Sequence, residues 1–144
     1  MNPMLIITGA VALGKYLSKV LWDTKPQGVI TNSRVDRAIV ARFGNVARYV
    51  MNPQYNAYSD KQFAKFIATD DTDKEEFTEK HNCVVFALET MARARAILGN
   101  CAFGIAFTKN HALNCYVDES GNLRVTDPQD DSESGVLRAE FVII

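Results

Sequence analysis

The chain has 144 residues, with 16 Lys+Arg against 17 Asp+Glu and 47% hydrophobic side chains. That length and apolar fraction suit one folded domain with a core of its own and exclude collagen-like, disordered and supercharged chains. A formal net charge of −1 gives no field to gather polyanions, so nucleic acid is not an expected partner. Three cysteines make no disulfide framework and point to a reducing, cytoplasmic compartment.

Residues 1–144 read as a single domain in three parts: an apolar amino-terminal arm over 1–27, a mainly helical half over 28–80, and a helix followed by an antiparallel sheet over 81–144. The window from Met4 to Gly14 is the most apolar in the chain, but it is about half of what spans a bilayer, so no membrane anchor is expected. Tyr16, Leu17, Val20 and Leu21 continue it at helical spacing. Met4 to Trp22 is therefore expected to dock on its own core or on a second copy, as a route to homo-oligomer or assembly.

Thr24 to Gly28 ends the arm, and Asn32 or Ser33 can cap a helix carrying Val35, Ala38 and Ile39, weakened at Gly44-Asn45. Asn52-Pro53 ends the segment after that glycine. Arg34, Arg37, Arg42 and Arg48 read as a solvated basic face. Ser59-Asp60-Lys61-Gln62 has the capping-box pattern and opens a helix with Phe63, Phe66 and Ile67. Asp70, Asp71 and Asp73 read as a solvated acidic loop, without the glycine and terminal glutamate of a calcium-binding EF-hand.

From Cys83 to Leu98 the chain is almost entirely apolar and predicts a central, buried helix closed at Gly99-Asn100. Four strands should come after it, at Cys101 to Phe107, His111 to Val117, Asn122 to Asp127 and Leu137 to Ile143. A buried helix packed on a small antiparallel sheet is an α+β arrangement.

A thiol at the first position of a helix meets unpaired amides and the positive end of the dipole, which favour the thiolate. Cys83 is so placed. If Asp118 to Gly121 makes the hairpin turn, Val117 lies opposite Gly121, Cys115 opposite Leu123, Leu113 opposite Val125 and His111 opposite Asp127. An imidazole then meets a carboxylate at the polar edge of an otherwise apolar face. Packed on the helix, that edge would bring Cys83, His111 and Asp127 together as nucleophile, base and orienting acid. The competing readings are a binding or structural module without turnover and a metal site built from His81, Cys83, Cys101, His111 and Cys115.

Cys83-Val84-Val85-Phe86-Ala87, Gly104-Ile105, His111-Ala112-Leu113-Asn114 and Asp127-Pro128-Gln129 resemble the papain-like and transglutaminase-like cysteine-enzyme superfamily. Within it they are similar to the carboxy-terminal protease-like domains of chimerolectins and related phage and bacterial proteins. The likeness covers Asn82 to Gln129 and implies a papain-like core and a cysteine hydrolase of protease or amidase type, or an acyl transferase, working through a thioester at Cys83. It implies a peptide or amide substrate and no cofactor or metal, with Asn82, Asn114 and Gln129 in supporting positions. The alternative it leaves is a catalytically inactive module of the same fold that binds or assembles, for example in a phage virion.

Overall fold

The computed structural model describes residues 23–144. Strand β1 (Gly28–Thr31) runs directly into helix α1 (Asn32–Phe43), which leads to β2 (Ala47–Tyr49) and β3 (Gln54–Ala57). Next come α2 (Asp60–Thr69), a single 3-10 turn (Thr72–Lys74) and α3 (Cys83–Leu98). Four strands complete the described chain: β4 (Phe103–Phe107), β5 (Ala112–Val117), β6 (Leu123–Thr126) and β7 (Phe141–Ile143).

Local chemistry explains the boundaries. Val35, Ala38 and Ile39 turn one face of α1 inward, and Gly44 ends the helix at φ +75°, its N–H donating to the Val40 carbonyl. The capping box at α2 is complete: Ser59 Oγ accepts from the Gln62 N–H, while Gln62 Oε1 accepts from the Ser59 N–H. Asn82 caps α3 by accepting from the N–H groups of Val84 and Val85, and Gly99 stops it at φ +71°.

Two sheets form among the described residues. β1 and β3 pair antiparallel, and a five-stranded sheet runs in the order β2-β7-β4-β5-β6, with β2 parallel to β7 and the other pairs antiparallel. One face of the larger sheet, bearing Leu113, Cys115, Val117, Leu123 and Val125, packs on Ile30, Val35, Ala38 and Ile39. The other face carries α2 and α3. There Phe63 stacks on Tyr116 with ring centroids 4.4 Å apart, and Phe66 meets Phe103 edge-on at 5.6 Å.

The expected fold class, α+β with a papain-like or transglutaminase-like core built on a central buried helix, is corrected by this arrangement. The described residues form a five-stranded mixed sheet and a smaller sheet, with three helices laid over the faces. α3 covers one face rather than filling the middle: Phe86, Ala87, Thr90, Ala94 and Leu98 are buried, whereas Val84 (38% exposed), Leu88 (46%) and Ile97 (37%) face outward. An apolar run of this kind does not distinguish burial on one face from burial all round, because exposed leucine and valine are ordinary on protein surfaces. The larger cluster of core residues lies on the opposite side of the sheet, where β1, α1 and β3 close it.

The acidic loop also differs from its expectation. Asp70 and Thr72 are buried, Asp70 Oδ2 accepts from the Thr72 N–H, and Arg93 reaches the Asp70 carboxylate at 3.4 Å. Two of the four arginines are engaged as well, Arg42 donating to the carbonyls of Ser134 and Val136 and Arg48 pairing with Asp36, while Arg34 and Arg37 are exposed. The apolar window from Met4 to Trp22 lies outside the described residues. No described helix is long and apolar enough to cross a membrane.

Candidate binding site

The β5–β6 hairpin turns through Asp118, whose carboxylate accepts from the N–H groups of Ser120 and Asn122, with Gly121 at φ +84°. Val117 pairs with Leu123 and Cys115 with Val125, two residues out from the expected register. A two-residue slip preserves the face, whereas a one-residue slip would reverse it. Asp127 thus still meets His111: Nε2 of the ring and Oδ2 of the carboxylate lie 2.8 Å apart. The other oxygen, Oδ1, accepts from the Gln129 N–H at 3.0 Å, and the Asp127 carbonyl accepts from the Asp131 N–H. Thr108 steadies the histidine by exchanging hydrogen bonds with its backbone.

Cys83, half-buried at the first turn of α3, packs against a separate small cluster of Ala87, Ile105 and Ala112. The sequence-derived mechanism needed the β5 face of Leu113, Cys115 and Val117 to rest on this helix. It does not. That face rests on α1 and the small sheet, and α3 instead meets the face of Ala112, Asn114 and Tyr116, where Asn114 Nδ2 donates to the carbonyls of Ala87 and Gly104. Asn82 is the helix cap, and Gln129 lies beside Asp127 and lines a surface cleft. The other two thiols are buried, which pushes Cys101 up to about 11 and Cys115 further up. Among the described residues, no group of three or more His, Cys, Asp or Glu side chains is arranged to hold a metal ion.

The cleft that Gln129 lines has a volume of about 330 Å³ and is completed by Glu75, Phe77 and Phe86. Its floor is aromatic. Phe77 and Phe86 lie nearly parallel with centroids 6.3 Å apart, and His81 stacks on Phe86 at 4.4 Å. His81 is held there by its Nε2 contact with Glu89, 3.0 Å away, which raises its pKa above the ordinary imidazole value. Phe77 is 58% exposed. Sequence reasoning passed over it, although the signal was present: one aromatic in the charged run Glu75-Glu76-Phe77-Thr78-Glu79-Lys80, with no apolar partner at helical or strand spacing.

Beneath the turn that presents Asp127 and Gln129, Asp131 adopts φ +60°. Its carboxyl is pushed up to about 7, first by burial and then by Asp73, Asp70 and Asp130, with Lys74 opposing. Among the described residues, Asp73 Oδ1 and Thr72 Oγ1 are buried without hydrogen-bond partners. The folded state therefore retains a proton that the unfolded chain releases near the ordinary value of 3.8, and stability falls as pH rises from about 4 to about 7 and then levels. Asp131→Asn tolerates the same backbone and removes the charge. It is expected to raise stability at pH 8 by about 1–2 kcal/mol, after discounting for solvent screening, with little effect at pH 4, as read by urea denaturation at the two pH values.

No family model and no curated protein matches the chain. Among solved structures it resembles a PSL1a–E64 complex, with a TM-score of 0.66 and 18% identity over 81% of this chain and 51% of that one. It also resembles the Polyporus squamosus lectin bound to the human-type influenza-binding epitope Neu5Aca2-6Galb1-4GlcNAc, with a TM-score of 0.62 and 16% identity over 81% of this chain and 49% of that one. Likeness at such identity shows a shared fold, and this chain spans about half the length of each.

These neighbours correct the resemblance carried by the short motifs. The likeness is to the fold of a lectin chain, and it replaces the papain-like and transglutaminase-like assignment. The reading of the chain as a cysteine hydrolase, thiol protease or acyl transferase with a catalytic triad draws no support from this likeness of fold. The packing of β5 also differs from the one on which the motifs were joined: its Leu113, Cys115 and Val117 face rests on α1 and the small sheet, and Cys83 packs against Ala112 on the other face.

Proposed function

We propose that the chain is a non-catalytic binding module for carbohydrate, with its combining site in the cleft of Glu75, Phe77, Phe86 and Gln129. The observation that carries this reading is the exposed Phe77 ring in a cleft that a carboxylate and an amide also line. A sugar ring presents a C–H face that stacks on an aromatic and an edge of hydroxyl groups that need paired donors and acceptors. Phe77 supplies the first; Glu75 and Gln129 supply the second. His111 and Asp127 support it from behind, because Asp127 fixes the Gln129 backbone and is itself fixed by the ring. The lectin likeness supports the same class of ligand.

Isothermal titration of the full chain with a panel of neutral and acidic disaccharides tests the reading. Saturable binding is expected, and Phe77→Ala should weaken it about tenfold, the worth of one aromatic stacking contact, with unchanged circular dichroism. Absence of binding across the panel overturns the proposal. So does selective, rapid alkylation of Cys83 by iodoacetamide coupled to turnover of an amide.

A further inference from the structure

Resting on that combining site, the charge of the ligand can be read from what surrounds the aromatic floor. We propose that the cleft accepts an uncharged sugar residue and discriminates against an anionic one such as a terminal sialic acid.

Among the described residues, the side chains lining the cleft include Glu75 and no lysine, arginine or histidine. Gln129 is flanked in sequence by Asp130, an exposed carboxylate held below its usual pKa chiefly by the Ser132 hydrogen bonds and so fully charged near neutrality. Two nearby cations are already engaged, while Lys80, exposed three residues after Phe77, is not paired among the described residues. Arg93 lies 3.4 Å from the Asp70 carboxylate and 3.9 Å from that of Glu75, and the His81 ring is committed to Glu89. A sialic acid carboxylate seated on Phe77 would meet Glu75 at short range and Asp130 at the rim, with the Gln129 amide as the one donor among the described residues lining the cleft. A neutral hexose or N-acetylhexosamine meets the same groups as hydrogen-bond acceptors for its hydroxyl or amide hydrogens, an arrangement that uses each carboxylate without repulsion. Exposed charges of this kind act within about a Debye length, so the discrimination should be sensitive to salt.

The experiment is titration calorimetry of the full chain with Galβ1-4GlcNAc and other neutral disaccharides, each paired with its sialylated counterpart, at low and high ionic strength. The neutral member should bind at least tenfold more tightly at low salt. Added salt and Glu75→Gln should each narrow the difference, the variant keeping a hydrogen-bonding oxygen while losing the charge. Equal or tighter binding of sialylated glycans through Phe77 would overturn this inference while leaving the carbohydrate site standing. Binding of neither class would remove the site itself.

Discussion

Gly104→Ala is expected to cost at least about 3 kcal/mol and to leave most of the chain without fixed tertiary packing. Gly104 pairs with Cys115 in the middle of the larger sheet, where β7 crosses so closely that a Cβ would fall onto the Ile143 carbonyl oxygen and lie 2.8 Å from Ile144 Cα. Those neighbours are backbone, so no rotamer change relieves the clash. β7 would have to lift, and with it the bonds that the Ile144 carbonyl accepts from the Tyr55 hydroxyl and the Met51 N–H. Among the described residues β2 pairs only with β7 in this sheet, so the parallel edge would go too. Gly28→Ala is the control: no atom of the described residues lies within 4 Å of its would-be Cβ, and the change should be within about 0.5 kcal/mol. Urea denaturation and near-ultraviolet circular dichroism distinguish the two; near-native stability of Gly104→Ala would mean that β7 does not pass there.

Gly104 also shows where the sequence is legible and where it is not. Local signals were readable because they act within a few residues: the capping box at Ser59, the left-handed stop at Gly99 and the turn glycine at Gly121 all perform the local chemistry their residue types suggest. The His111–Asp127 contact survived an error in register because side-chain alternation has period two and the error was two residues. What failed was longer in range. Both faces of β5 are buried, so its pattern cannot say which face meets α3 and which meets α1. The three-residue β2 and β7 pair across more than ninety positions in sequence, and Leu137 proved to be an exposed loop residue where a strand was expected to begin. The Phe77 cleft combines a loop residue, a helix residue and Gln129, a convergence that no periodicity encodes.

Asn114 is where both faces of that problem meet, and its replacement should be the second most damaging change. The side chain is fully buried, and Nδ2 donates to the α3 carbonyl of Ala87 at 2.9 Å and to the β4 carbonyl of Gly104 at 3.1 Å, so one amide ties helix to sheet. Asn114→Ala deletes both bonds and opens a small void, which should cost about 2–3 kcal/mol. Asn114→Asp is the sharper test. A carboxylate there would face two carbonyl oxygens without a donor, in a site closed to water. The acid would fold in its protonated form, able to donate to one carbonyl, with its pKa raised above the unfolded value. Its stability must then fall as pH rises above about 4, because the unfolded chain releases the proton that the folded chain has to keep. The wild-type amide, which does not titrate, contributes no such dependence. Denaturation midpoints should thus show the aspartate variant closest to wild type under acid and losing ground steadily toward neutrality. A gap between the two that did not change with pH would mean that the amide does not bridge α3 and β4.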